Sequence, residues 1–137
     1  MSKITVETII KAPLQKVWET WTKPEHIMNW AFAMDSWECP GAENDVRTGG
    51  RFKTTMAAKD KSSSFDFTGT YTQVQEYDLI EYEMDDGRHA KIEFVEVPEG
   101  IKIIESFEME NTHSEEQQRA GWQAILDNFK KYTESQS

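Results

Sequence analysis

Cysteine occurs once in this sequence, at Cys39, so no disulfide can close within the chain and no cysteine-based metal site is available. A lone thiol agrees with a reducing compartment. Histidine is also scarce. His26, His89 and His113 stand far apart, no two at i, i+4, and no HExxH pattern is present, which argues against zinc. No apolar run approaches the roughly 20 residues of a membrane helix. The opening Met1-Ser2-Lys3-Ile4-Thr5-Val6-Glu7 lacks the apolar stretch of a secretory signal. A cytoplasmic protein with no membrane association is therefore expected. Cations are in deficit as well, 15 Lys+Arg against 25 Asp+Glu, for a formal charge of -10 at pH 7. That balance excludes an electrostatic nucleic-acid binder, which needs a basic face to displace phosphate counterions.

Aromatics are what the chain does have. They make up 12% of 137 residues, with five Trp and seven Phe, enough apolar surface to argue against disorder. The length suits one domain spanning residues 1–137 with one core. The charge is unevenly placed. From Glu76 to Glu116 there are fourteen acidic and three basic residues, a net of -11, and the remainder carries +1. The solvent side of strands accounts for this most simply, and a docking surface for a basic partner is the sharper alternative.

The first segment, Ile4 to Ile10, alternates with Ile4, Val6 and Ile10 on one face and reads as a strand. Pro13 suits the start of a helix, and Leu14, Val17, Trp18 and Trp21 then fall at i, i+3, i+4, i+7, one amphipathic face. Pro24 restarts a second short helix carrying Ile27, Met28 and Trp30, so the two helices form a corner. For residues 31–47 the sequence predicts a loop, broken by Pro40-Gly41 and Asn44-Asp45, and then a short strand ending near Gly49-Gly50. Clean alternation follows. Phe52, Thr54 and Met56 share one face, then Phe65, Phe67, Gly69 and Tyr71, then Ile80, Tyr82 and Met84. Asp86-Gly87 is a hairpin turn, Ile92 and Phe94 come next, and Ile101, Ile103, Phe107 and Met109 close the series. Repeated two-residue periodicity with short turns marks an antiparallel meander with one wet face.

The chain closes on a long helix. Ser114 and Gln117 form a capping box, Glu115-Glu116 complement the dipole, and Trp122, Ile125, Leu126, Phe129 and Tyr132 make an apolar stripe. Gly121 inside that helix costs about 1 kcal/mol against Ala, which predicts close approach to another element. A one-sided antiparallel sheet must be covered, and this helix is the long cover available. The fold class is α+β, a curved antiparallel sheet of six to seven strands wrapped around the C-terminal helix, with two short helices after strand 1. The cover is narrower than the sheet, which predicts a cavity lined by the aromatic rows.

The motif Ala12-Pro13-x-x-x-Val17-Trp18-x-x-x-Thr22-x-Pro24-Glu25-His26-x-x-x-Trp30 resembles the opening of the heat-shock protein 90 ATPase activator-like family. That family belongs to the START-like (SRPBCC, Bet v allergen-like) superfamily. Arg47-Thr48-Gly49-Gly50-Arg51-Phe52, Phe67-Thr68-Gly69-Thr70-Tyr71 and Gly121-Trp122-x-x-Ile125-Leu126-x-x-Phe129 match in the same order, over nearly the whole chain. The resemblance implies a helix-grip fold whose cavity holds lipids, hormones, polyketides or other apolar molecules, with a minority of relatives catalysing cyclisation or hydration. It also implies a stress-response setting. The eukaryotic activators carry an additional N-terminal domain for which this chain has no room, so the fold transfers better than the chaperone function.

The expected ligand-binding set is Trp30, Phe32 and Met34 at the cavity mouth and Met56, Phe67, Tyr71, Tyr82, Phe94, Trp122, Ile125 and Phe129 inside. Tyr71 and Tyr82 carry hydroxyls that need a partner when buried, which favours them for orienting a ligand. Glu105 joins the set because it interrupts the row Ile101, Ile103, Phe107 and Met109. On the cavity face it is a buried carboxyl that orients a ligand or acts as a base. The alternative is that Ile104 and Ser106 face inward, or that a bulge leaves Glu105 in water. No nucleophile–base pair can be placed, so no catalytic residue is assigned, and no metal or cofactor is implied. His26 reads as corner packing, His89 as solvent-facing, and Arg47 and Arg51 as flanks of a glycine turn. The partner expected is a hydrophobic small molecule, in a monomer or weak dimer. The alternatives are a chaperone or other protein held through Glu83, Asp85 and Asp86, and an enzyme of cyclase or hydrolase type using Glu105 as base.

Overall fold

In the computed structural model, which describes residues 3–136, the chain begins with β1 (Lys3–Ile10) and turns through α1 (Leu14–Thr22) and α2 (Pro24–Ile27). Six strands follow: β2 (Trp37–Asn44), β3 (Arg51–Ala58), β4 (Ser64–Gln75), β5 (Leu79–Met84), β6 (His89–Val97) and β7 (Gly100–Glu108). The long helix α3 (Glu115–Ser135) ends the described chain. All seven strands form one antiparallel sheet in the order β1-β7-β6-β5-β4-β3-β2. The helical corner therefore carries the chain from one sheet edge to the other, and the meander walks back until β7 pairs with β1. This is the expected α+β helix-grip architecture.

Period-two burial explains the strands. Along β7 the pattern alternates without a break, and its register against both β1 and β6 is continuous. Ile4, Ile10, Ile103, Phe107, Leu126 and Phe129 are sealed between sheet and helix. Two register shifts, between Glu38 and Gly41 on β2 and between Tyr71 and Gln73 on β4, interrupt the pairing of the far strands; such bulges bend a sheet and increase its twist. Gly69 lies at the pinch of this curve, where a Cβ would come within 2.7 Å of the Phe52 ring.

The second strand corrects the expectation for residues 31–47. It runs from Trp37 to Asn44, earlier than the predicted strand toward Gly49-Gly50, and passes straight through Pro40-Gly41. Two facts permit this. β2 is a sheet edge, where a missing N–H leaves no ladder partner wanting, and its bulge takes up the extra residue.

α3 starts on the capping box, with Ser114 Oγ accepting from Gln117 N at 3.1 Å and Gln117 Oε1 accepting from Ser114 N at 3.1 Å. It then lies along β1, whose outer carbonyls it covers with long side chains. Arg119 donates to Thr5 O at 3.0 Å, Gln123 to Glu7 O at 3.2 Å, and Lys130 to Ile9 O. An exposed strand edge is thereby closed. The helix is anchored over β1 and α1, so the span above the middle and far strands stays open. No helix among the described residues is long and apolar enough to cross a membrane.

Candidate functional site

That open span is a cavity of about 480 Å³ between the sheet and α3. Strands β3, β4 and β5 supply its far wall through Met56, Phe67, Tyr71 and Tyr82. β7 supplies Glu105, and α3 supplies Trp122 and Ile125. Trp30, Phe32 and Met34 follow the helical corner and border the opening. Met34, 57% exposed, and Phe65, 51% exposed, mark where the cavity meets solvent.

Two members of the expected set lie elsewhere. Phe94 packs its ring against Trp18 and Trp21, with centroids at 5.1 and 6.1 Å. Phe129 is fully buried against Trp21 and Trp30, with centroids at 4.9 and 5.0 Å. The helical corner covers that end of the sheet, so these aromatics form a solid core and do not line the cavity. Periodicity tells which face a residue occupies, not how far along the sheet the cover reaches.

Gly121 corrects a second expectation. It lines the cavity, and nothing lies within 4 Å of where its Cβ would be. Its missing side chain opens space; no neighbouring element comes close.

Other lining residues were not singled out in the sequence. Phe52, Thr54, Ile80 and Ile92 sit on the same alternating rows as those chosen, so the pattern held the signal. Asn44, Arg88, Glu110 and His113 come from an irregular strand, a turn and the β7–α3 loop, where no periodicity points inward, and Gln118 is a polar residue in the first turn of α3. α3 fixes both rim loops. Asn128 donates to Phe32 O at 2.6 Å, and Gln118 donates to His113 O at 2.8 Å and accepts from Glu110 N at 3.0 Å.

The aromatic wall is tightly interlocked. Phe52 meets Tyr82 edge-on with centroids 4.9 Å apart, and Phe67 lies 6.0 Å from both Tyr82 and Trp122. Trp122 in turn lies flat on Phe107. Edge-to-face pairs of this kind fix ring positions beyond what area burial alone contributes.

Three polar groups stand among these rings. The Tyr71 hydroxyl donates to Asn44 Oδ1, and Asn44 Nδ2 donates to Thr22 O at 2.7 Å, which satisfies both and ties β4 to the helical corner. Tyr82 and Glu105 are each 6% exposed and make no hydrogen bond with the described residues. Among the described residues no buried side-chain oxygen is sealed off without a partner, so both groups open onto the cavity. Burial alone pushes the Glu105 carboxyl up to about 8. Burial, then the nearby Glu105, raises the Tyr82 hydroxyl well above its usual range. The unbroken register of β7 rules out the bulge that would have turned Glu105 to solvent, and Ile104 and Ser106 face outward.

Residues outside the cavity behave as structural groups. His26 Nδ1 lies 2.8 Å from the Tyr132 hydroxyl and joins α2 to α3. His89 is exposed beside Glu83 and Glu108. Arg47 pairs with Asp45, and Arg51 forks onto Asp85 with both bonds at 2.8 Å, so neither is free to cradle an anion.

A family model described as activator of Hsp90 ATPase homolog 1-like protein matches residues 11–134. The chain belongs to this activator-like family. An AHSA1-like protein from Aeromonas hydrophila, solved in solution, is 43% identical with a TM-score of 0.93, covering 98% of this chain and 94% of that one. A protein from Cytophaga hutchinsonii is 51% identical with a TM-score of 0.84, covering 98% of this chain and 93% of its own. A Chromobacterium violaceum protein at 21% identity and TM-score 0.87, covering 98% and 99% of the two chains, shares the fold. No curated protein matches the chain.

Proposed function

We propose that this activator-like protein binds a hydrophobic or aromatic small molecule in the chamber between the sheet and α3, without chemical turnover. One observation carries the reading: about 480 Å³ of aromatic-walled space that ends on two buried polar groups whose side chains find no partner among the described residues. Apolar pockets with a few convergent polar groups are the usual form of a small-molecule site. Emptiness at Gly121, inside a helix where every residue but proline forms helix better, supports it further. The ligand contacts proposed are Trp30, Phe32, Met34, Met56, Phe67, Tyr71, Tyr82, Glu105, Trp122 and Ile125. Cytoplasmic residence and a monomeric or weakly dimeric state belong to the same proposal, and a single buried thiol at Cys39 agrees with them.

A chaperone dock through Glu83, Asp85 and Asp86 finds less support. Asp85 is held by Arg51 and Thr68, Asp86 by Arg88, and Glu83 lies 3.7 Å from His89, so these charges are already engaged. Cyclase or hydrolase chemistry on Glu105 finds less support, because among the described residues no group is hydrogen-bonded to its carboxyl and so none is positioned to share a proton with it.

The test is a thermal-shift screen of apolar and aromatic metabolites on the parent and on Gly121→Leu, whose side chain projects into the chamber. Ligands that raise the parent melting temperature should leave the variant unmoved. Absence of any shift in the parent, or equal shifts in both proteins, overturns the reading.

A further inference from the structure

The end of the chamber at Glu105 has a chemistry of its own. Its carboxyl sits on β7 opposite Val6 of β1 and Ile92 of β6, two aliphatic neighbours that offer no hydrogen bond. Among the described residues it accepts from no donor, and no cation stands close enough to offset its burial. Tyr82 on β5 stands close enough to feel the Glu105 charge, and its hydroxyl likewise has no partner among the described residues. The other charged groups of the lining are occupied. Arg88 spends its Nε on Asp86 at 2.8 Å, and Glu110 is engaged by the backbone N–H and ring of His113 at 2.6 and 3.1 Å.

We infer that the occupant is an apolar amine, its nitrogen reaching the Glu105 carboxyl and the Tyr82 hydroxyl while its hydrocarbon body lies among Phe52, Phe67 and Trp122. This rests on the small-molecule reading above and specifies its ligand. Three features select a cation. An ammonium supplies the donors and the positive charge that Glu105 lacks. The ring faces around it attract cations, more strongly where water is excluded. The net charge of -10 also raises the local concentration of cations over anions.

Binding carries a proton balance. The carboxyl is protonated in the empty chamber at neutral pH, and the amine arrives as ammonium. Pairing forms N–H···O bonds from ammonium to carboxylate, and the carboxyl proton leaves to solvent. An uncharged ligand of the same shape releases none.

The experiment is calorimetric titration of the whole chain at pH 7 with 2-(1-naphthyl)ethylamine, 2-(1-naphthyl)ethanol and 1-naphthylacetate, in two buffers of different ionisation enthalpy. The amine should bind more tightly than the alcohol and release about one proton per site, by linkage of Glu105 ionisation to binding. Glu105→Gln, isosteric with the protonated acid, should weaken the amine by about tenfold to hundredfold, as loss of a charged hydrogen bond does, and change the alcohol far less. Equal affinity of amine and alcohol, tightest binding of the acetate, or an unaltered amine in Glu105→Gln overturns the inference. Binding of the alcohol alone overturns it too, and leaves the small-molecule reading standing. Failure of all three naphthyl compounds, taken with a parent that shifts for no apolar ligand, counts against both.

Discussion

Phe107 of β7 and Trp122 of α3 stack face to face, with ring centroids 3.8 Å apart and planes 10° from parallel. This pair sets the distance between helix and sheet at the inner end of the chamber. Removing the indole takes away both the stack and the edge contact with Phe67. Trp122→Ala should therefore destabilise the fold toward the lower end of the roughly 3–5 kcal/mol that truncating a buried aromatic costs, because Trp122 is only partly buried. Urea unfolding checks this, and Trp122→Phe, which keeps a ring on Phe107, should recover most of the loss.

At Gly121 the expected effect has the opposite sign for stability. An added methyl enters empty space and meets no atom within 4 Å. Helix propensity then governs, and Gly121→Ala should stabilise by about 1 kcal/mol. The same methyl projects into the chamber, so ligands that fill it should bind more weakly although the protein melts higher. Calorimetric melting and a titration on one sample separate the two effects.

Glu105 makes stability depend on pH in an unusual direction. Its folded carboxyl is raised to about 8, whereas an unfolded glutamate titrates near 4.5. Between those values the folded chain holds a proton that the unfolded chain has lost, so raising the pH destabilises the fold across that window. The cost is absent below pH 4.5 and complete above pH 8, and reaches a few kcal/mol, since each pH step across the window contributes about 1.4 kcal/mol. Glu105→Gln should show a flatter profile from pH 5 to 8 and exceed the parent in stability at pH 8. Denaturant midpoints across that range measure the difference.

Asp85 should behave as a low outlier among the carboxylates. Hydrogen bonds from Arg51 and then from Thr68 hold it at about 2. Carbon-detected carboxyl titration should find it ionised at pH 3, where most surface carboxylates are protonated. Arg51→Ala should raise it toward the ordinary range, the Thr68 hydrogen bond holding it still somewhat low, with little change in stability, since the pair is exposed.

Much of this molecule was readable residue by residue. The rows through Phe52, Phe67, Tyr82 and Ile103 alternate because one sheet face is wet, and Ser114 with Gln117 marks the helix start by local hydrogen bonding alone. Glu105 could be singled out because a charge in an apolar row is conspicuous. β2 was hidden because Pro40-Gly41 looks like a break unless the strand is known to lie at an edge. Phe94 and Phe129 share the pattern of the cavity residues, and only the placement of α1 and α2 over them decides otherwise. Gly121 has the same letter for a tight crossing and for a void, and three dimensions are needed to tell them apart.

The pairing of β1 with β7 brings Ile4 opposite Phe107 and Ile10 opposite Ile101, across most of the chain. Strands β2 to β6 join only neighbours in sequence and can form their hairpins as they leave the ribosome. β1 pairs with β7 alone, and its outer edge is closed only by α3, which follows every strand in the chain. The wall that encloses the chamber thus rests on the contacts of greatest sequence separation, the ones whose loop closure costs most entropy.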